Sequence, residues 1–298
     1  YSVLVDPQYG VSTTAQVRLE TQGSLNPGSG PLDYTTPWAN AEAYFTFLAP
    51  AGANMGLGIS DLVISSGSYV NVHVYGPNGA TVNNTACYAS NGGCELNLPN
   101  LAGGMHTVKV VPTLNDQSVN FKVAVSNDIA VTLQPEVPVS LSLSRRGQNG
   151  RLSFTGAAGQ RVAIMAADQS TAPLGRTVYY TAFKPDGTTL RSSEGVAGAA
   201  LTLDLPTAGT YSVLVDPQYG ATSNAQVRLE TQGSLQAGGN PVDHATPWAN
   251  AEAYFTFLAG AGSNMGVGIS DLAINGAGTY VNVYAYGPSG ATITSTSC

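Results

Sequence analysis

The 298-residue sequence contains little charge. Asp, Glu, Lys and Arg make up 10% of the chain, against about 25% in a typical soluble protein. Apolar residues stand at an ordinary 43%, so Gly, Ser, Thr and Asn take the place of the missing charge. Lys and Arg total 11 and Asp and Glu total 18, a formal net charge of -7 with no basic patch for phosphate groups. The composition argues against charge-driven disorder and predicts that nucleic acid is not a partner.

Long apolar runs are also absent. A membrane span needs about 18 or more uninterrupted apolar residues, and Gly or Asn breaks each run here within a few positions. We therefore expect no membrane span in this segment. The sequence opens at Tyr1 inside a strand-like pattern, without Met or a signal-peptide pattern. We interpret it as a window cut from a longer protein.

The sequence repeats itself with a long period. YSVLVDPQYG at Tyr1 recurs 210 residues later at Tyr211, and the match continues until Cys87 faces Cys298, a shift of 211. A fainter repeat lies inside this one, because FTFLAPAGANMGLGISDL from Phe45 resembles LSFTGAAGQRVAIMAADQ from Leu152 in pattern and spacing. A period of this kind indicates tandem modules, here of two related types and about 90 residues each.

These repeats predict the following organisation. The segments are the C-terminal part of a second-type module (1–24), a linker (25–42), a complete first-type module (43–133), a Pro-containing linker (134–149), a complete second-type module (150–235), a linker (236–252) and the N-terminal half of a first-type module (253–298).

The modules carry strand patterns throughout. Apolar residues alternate with period two, as in YVNVHVY from Tyr69 and YSVLV from Tyr211. Turn tripeptides of the form Pro-X-Gly begin at Pro77, Pro185 and Pro288. About seven or eight short strands per module predict an all-β fold of tandem antiparallel β-sandwiches, jelly-roll-like or Ig-like, rather than a closed barrel.

Three segments of the second-type module carry a family resemblance. They are GRLSFTGAAGQRV from Gly150, VYYTAFKPDGTTL from Val178 and LTLDLPTAGTYSVLVDPQYGATSNAQVRLE from Leu201. This module resembles the pre-peptidase C-terminal-like (PPC-like) β-sandwich repeats of large secreted bacterial surface and Rhs-type proteins; the first-type module does so by its pattern only. The resemblance implies a small jelly-roll-like sandwich that serves as an accessory or spacer and has no catalysis of its own.

Cys87 and Cys94 enclose the sequence YASNGG, whose glycines allow a short closed ring. We predict a disulfide that pins the end of a hairpin, which implies an oxidising compartment and hence secretion to the cell surface or beyond. The alternative is a metal pair, for which His73 and His106 are the only further ligands in the module. Cys298 would pair with a cysteine beyond the window.

The sequence offers no catalytic group. Each histidine has a tyrosine at the matching position of a related copy: His73 faces Tyr284, His244 faces Tyr34 and His106 faces Tyr211. A repeat that exchanges His for Tyr does not use the histidine to move protons. The common hydrolase, metalloprotease and nucleotide-binding motifs are missing. We therefore expect no enzyme activity and no cofactor.

Calcium is the one ion that the acidic residues suggest. Acids recur between copies: Asp6, Glu20, Asp33, Glu42 and Asp61 return as Asp216, Glu230, Asp243, Glu252 and Asp271. Oxygens from distant loops can together bind calcium, but no calcium-loop motif is present. The alternative is that these residues cap turns beside proline.

Trp38 and Trp248 stand in TPWANAEAYF, where a linker enters the first-type module. An aromatic face next to polar groups is typical of a sugar-stacking platform. Because each tryptophan lies at a junction and recurs once per period, we favour packing of one module on the next. The alternating VSLSLS from Val139 also predicts that part of a connector adds a strand to a neighbouring sheet.

The leading hypothesis is a structural repeat segment of a giant secreted bacterial surface protein that forms a stalk or an extracellular filament. Its partners would be neighbouring copies of the same repeat, along one chain or between chains. One alternative is an adhesin module that binds cell-surface glycans or matrix. The other is an accessory domain of a secreted peptidase or Rhs-type toxin.

Overall fold

A computed structural model of the chain describes residues 5–6, 9, 12, 14, 23–246 and 252–298. It has two compact units. One comprises Tyr1–Gln232 with Ala245–Tyr254, and the other comprises Gly233–His244 with Phe255–Cys298. The described residues contain no α-helix, and helical turns are short 3-10 turns such as Ala89–Asn91 and Gln218–Gly220. Accordingly, no helix in this described part is long and apolar enough to cross a membrane.

The first sandwich packs a five-stranded sheet on a four-stranded sheet. The five-stranded sheet has the order β1 (Gly23–Ser24), β3 (Ala43–Ala49), β8 (Gly104–Pro112), β5 (Tyr69–Tyr75) and β6 (Thr81–Tyr88). The four-stranded sheet has the order β2 (Leu32–Thr35), β9 (Val119–Asn127), β4 (Ala53–Ile64) and β7 (Gly93–Leu101). All pairings are antiparallel except β1 with β3, which is parallel.

The second sandwich repeats this topology strand for strand. Its five-stranded sheet has the order β10 (Ile129–Thr132), β12 (Gly150–Gly156), β17 (Gly209–Pro217), β14 (Val178–Phe183) and β15 (Thr189–Gly195). Its four-stranded sheet has the order β11 (Val139–Leu143), β18 (Thr222–Thr231), β13 (Arg161–Ala172) and β16 (Ala199–Asp204). The first strand, β10, again pairs in parallel with β12.

Apart from the added parallel strand, each sandwich has the strand order of a jelly roll. The predicted fold class, an all-β chain of antiparallel sandwiches with jelly-roll-like topology, is confirmed. Alternation drives it: β5 buries Val70, Val72 and Val74 on one face, while the residues between them stay partly exposed. Each sandwich has its own apolar core between its two sheets.

The two cores match at one pair of stacked rings. In the first sandwich Phe47 pairs with His106 across strands β3 and β8, and their rings stack at 5.1 Å. In the second, Phe154 pairs with Tyr211 across β12 and β17, and their rings stack at 5.5 Å. His106 therefore occupies the core position of a tyrosine. It is fully buried, and its Nδ1 lies 3.1 Å from the carbonyl oxygen of Gly104.

An aspartate with left-handed backbone marks the same place in each copy. Asp61 lies at a register shift of β4 with φ 52°, and Asp168 lies at a register shift of β13 with φ 51°. Asp271 has φ 52° in the second unit. Aspartate tolerates this backbone conformation better than most residues because its short polar side chain bonds locally. The repeated Asp thus belongs to a β-bulge, which bends the strand.

The predicted linkers differ from the structure. Segment 25–42 contains β2, which pairs with β9, and segment 134–149 contains β11, which pairs with β18. The predicted end of the first-type module at 133 also differs, since β10 belongs to a sheet of the next sandwich. Such segments join sheets because an open edge satisfies their backbone hydrogen bonds. The described residues of the predicted linker 236–252 carry no strand, and most of segment 1–24 lies outside the described residues.

The second unit is smaller. Its strands are β19 (Gly233–Ser234), β20 (Phe255–Thr256), β21 (Asn282–Tyr286) and β22 (Thr292–Ser297). β19 pairs in parallel with β20, and β21 pairs antiparallel with β22. The first of these pairings repeats that of β1 with β3.

Candidate functional site

The two complete sandwiches meet at a close backbone contact. Gly56 and Gly58 lie on the outer face of the four-stranded sheet, on β4. A β-carbon at Gly56 would lie 1.6 Å from the carbonyl oxygen of Gly147, and one at Gly58 would lie 2.4 Å from that of Arg146. Only glycine allows the turn before β12 to approach this closely. The second-type module has Ala163 and Met165 at the matching positions, so this form of contact belongs to the first-type module.

A chain of amide and carboxylate groups crosses the same contact. Across from Gly56 in the sheet register, Asn97 donates from Nδ2 to Oδ2 of Asp216 in the second sandwich, at 2.6 Å. Asn149 donates to Oδ1 of Asn97 at 2.8 Å and to Oδ1 of Asp128 at 3.3 Å. Arg151 completes the chain by pairing with Asp128 at 2.7 Å. The network links residues 119 positions apart and holds the two sandwiches in one relative position.

Two half-buried acids of this junction lie near each other. Glu95 lies across from Gly58 in the sheet register, and the 3-10 turn 218–220 packs on its strand. Burial, and then the neighbouring charge of Asp216, raise the pKa of Glu95 to about 7, although the backbone N–H of Tyr219 donates to its carboxylate. Burial also raises the pKa of Asp216. Its Oδ1 is buried and has no hydrogen-bond partner among the described residues.

Cys87 and Cys94 form a disulfide with a Cα–Cα distance of 5.2 Å. The two cysteines lie on β6 and β7, which belong to different sheets. The bond therefore joins the edges of the two sheets rather than the end of a hairpin, because the chain crosses from one sheet to the other within this ring. A β-carbon at Gly93 would lie 1.9 Å from the carbonyl oxygen of Ile59, which explains the glycine beside Cys94.

A cleft of 420 Å³ opens beside this disulfide loop, residues 89–92. Its other walls are the bulge 61–63 of the first sandwich and Arg146, Pro173 and Arg176 of the second. Nη2 of Arg176 donates to the carbonyl of Asn91 at 3.4 Å. The guanidinium also lies 5.0 Å from the centre of the Tyr219 ring, so both sandwiches hold this side chain in place.

The tryptophans were predicted to pack at junctions. Trp38 lies in the turn before β3 and is 49% exposed. Trp248 lies outside the described residues. Junction packing of these side chains stays a prediction. Cys298 is a free, exposed thiol in the described part of the chain, and its proposed pairing also stays a prediction.

The recurring acids do not converge. Among the described residues, no three or more His, Cys, Asp or Glu side chains come together as metal ligands. Several of the acids have protein partners instead: Glu42 pairs with Lys109 at 2.8 Å, Asp61 pairs with Lys122 at 2.8 Å, and Glu230 pairs with Arg228 at 2.8 Å.

No protein-family model matches the chain, and no curated protein matches it. Similar solved structures include the full extracellular region of zebrafish Gpr126/Adgrg6, with 11% identity, 70% of this chain, 36% of that chain and a TM-score of 0.25. The CUB1-EGF-CUB2 domains of rat MASP-1 are similar with 9% identity, 70% and 100% coverage and a TM-score of 0.23. The CBM22-1-CBM22-2 tandem domain of Paenibacillus barcinonensis Xyn10C has 10% identity, 69% and 88% coverage and a TM-score of 0.22. The chain thus spans about a third of the zebrafish region.

Proposed function

We propose that this chain is a structural segment of a long, secreted bacterial surface protein, in which jelly-roll modules follow one another in a stalk or filament. One observation carries the proposal. The strand that follows the last strand of one module pairs in parallel with a strand of the next: β10 follows β9 and pairs with β12. β19 follows β18 and pairs with β20 in the same way.

This pairing favours a load-bearing role. It makes the connector part of the next sheet. A force that stretches the chain must therefore break backbone hydrogen bonds before it can extend the connector. The close approach at Gly56 and Gly58 and the Asn97–Asp216 hydrogen bond add further contacts between the two complete sandwiches. A spacer with freely moving modules requires none of these features.

The disulfide supports an extracellular setting, and the low charge supports contacts between copies of the repeat. A stable disulfide is typical of proteins that fold in an oxidising compartment. A surface of Ser, Thr, Asn and Gly imposes little long-range repulsion on neighbouring copies, which favours copies of this repeat as partners. The resemblance to PPC-like repeats agrees with a spacer that performs no catalysis.

Negative-stain electron microscopy of the native, unproteolysed protein tests the proposal. A compact 90-residue module is about 30 to 40 Å across, so a repeat of two modules predicts an axial period of about 60 to 80 Å. Long filaments or stalks with a period in this range support the structural role. Separate compact particles with no axial period would contradict it.

A further inference from the structure

The cleft beside the disulfide loop has a feature that the structural role leaves unused. Most of the lysine and arginine side chains that the structure describes in the two sandwiches lie within 4 Å of a carboxylate. They are Lys109, Lys122, Arg151, Arg161, Lys184 and Arg228. Arg146 and Arg176 both line the cleft and have no such pair with a described residue. In a chain with so few cations, two unpaired arginines in one cleft are a marked concentration of positive charge.

The two arginines differ in how they are held. Arg176 is oriented by the carbonyl of Asn91 and by the ring of Tyr219, and its remaining N–H groups are available to a ligand. The guanidinium of Arg146 makes no hydrogen bond with a described residue, although the backbone of Arg146 is fixed against Gly58. Both side chains are half-buried, which shields their charges from solvent more than those of the exposed arginines.

The remaining wall does not cancel this charge. Asp61 lines the cleft, but it lies 2.8 Å from Nζ of Lys122, and the hydrogen bond from Lys122 lowers the pKa of Asp61. The charge of Arg146 also lowers the pKa of Asp61, so this carboxylate is ionised and interacts with both Lys122 and Arg146. One carboxylate against Lys122, Arg146 and Arg176 leaves this part of the surface net positive. Val63, which is 60% exposed, adds an apolar wall. The cleft has a volume of 420 Å³ and is open to solvent, so it can contact one face of a ligand that lies along the surface.

We propose that this cleft binds a carboxylate-bearing sugar unit of an acidic polysaccharide, whose carboxylate accepts hydrogen bonds from Arg146 and Arg176 while its ring lies on Val63. The planar guanidinium matches a carboxylate with two parallel hydrogen bonds. The polysaccharide, rather than a small metabolite, follows from the proposed extracellular role, on which this inference rests. The site exists only when both sandwiches are docked, because each supplies one wall.

Affinity electrophoresis in native gels tests this inference with the 298-residue chain. The gels contain polygalacturonate as the carboxylate polymer, dextran sulfate as the sulfate polymer, or neutral dextran. We expect polygalacturonate to retard the chain and dextran to leave it unaffected. Because a hydrogen bond between charged groups contributes about 1.5 to 3 kcal/mol, Arg146→Gln and Arg176→Gln should each weaken the apparent affinity about 10- to 100-fold.

The variants separate binding from folding. Arg146→Gln removes a guanidinium that bonds to no described residue, so it should fold normally. Arg191→Gln is the matched control, because Arg191 is exposed on β15 and donates only to a carbonyl; it should bind like the original chain. The carboxylate assignment would be overturned if neutral dextran retarded the chain as much as polygalacturonate does, or if Arg146→Gln bound polygalacturonate like the original chain. It would also be overturned if only dextran sulfate, or none of the polymers, retarded the chain. Filament microscopy is independent, so failure of the structural role would show there and not in these gels.

Discussion

Glu95 should make the stability of the docked sandwiches depend on pH. Its pKa rises from 4.5 to about 7 on folding, because the junction buries it and the charge of Asp216 lies nearby. One pKa unit corresponds to about 1.36 kcal/mol, so the folded state carries a cost of about 3 kcal/mol once Glu95 is ionised. The folded state binds the extra proton between the two pKa values, so stability should be full below pH 4.5 and should fall as the pH rises through about 7. Asp216, whose pKa is also raised, acts in the same direction.

The variant Glu95→Gln isolates this effect. Its amide oxygen can still accept from the N–H of Tyr219, yet it has no charge to bury. We expect urea unfolding, followed by circular dichroism at about pH 5 and pH 8, to show a flatter pH dependence in the variant. At pH 8 the variant should be more stable by up to about 3 kcal/mol.

Glu194→Gln is the control for this experiment, because Glu194 is exposed on the edge strand β15. It should reproduce the pH dependence of the original chain. If Glu95→Gln instead loses as much stability between pH 5 and pH 8 as the original chain, the buried carboxylate is not the cause and the reasoning is refuted.

Three further predictions concern the junction, the disulfide and the core. Gly56→Ala places a β-carbon against a backbone carbonyl and should lower the free energy of unfolding, measured by calorimetry, by about 1 to 3 kcal/mol. Gly266→Ala is the control: it lies at the matching repeat position with open space around it and should leave the stability unchanged. Equal losses of stability in the two variants would contradict the glycine contact. Reduction of Cys87–Cys94 opens an eight-residue ring and should lower the free energy of unfolding by about 2 to 3 kcal/mol, read from urea midpoints with and without reductant; unchanged midpoints would show that the bond does not stabilise the sandwich. His106→Phe keeps the ring stack and removes the buried Nε2, which has no hydrogen-bond partner among the described residues, but it also removes the 3.1 Å contact of Nδ1 with the carbonyl oxygen of Gly104. Its melting temperature should therefore change little, while His106→Ala should lose about 2 to 4 kcal/mol; a strongly destabilised phenylalanine variant would show that the Gly104 contact outweighs the unpartnered nitrogen.

Some features of the junction had a signal in the sequence. The first-type module carries Gly56 and Gly58 where the second-type module carries Ala163 and Met165, and a difference at matching outward positions of one strand indicates a difference in what covers that face. The disulfide pairing was also accessible, because Cys87 and Cys94 are close in sequence. The sequence does not predict that the bond joins two sheets, because a hairpin and a crossing between sheets can close a ring of the same length.

The connectors show where periodicity runs out. The alternation of Val139–Leu143 predicts a strand that joins a sheet, and in the structure this strand pairs with β18. Ile129–Thr132 and Gly23–Ser24 are too short for a pattern to identify, and their parallel pairing depends on the open edge that the next module presents.

The sequence by itself determined the repeat, the strands and the sandwich class, since near-identical copies and period-two alternation are local properties of the chain. Only the tertiary structure decided which groups meet at the junction. Asn97 and Asp216 are 119 residues apart, and Arg146 and Arg176 come to one cleft from separate loops. The physical reason is that burial and approach of backbones depend on how two finished sandwiches dock, and no local pattern of residues records that docking.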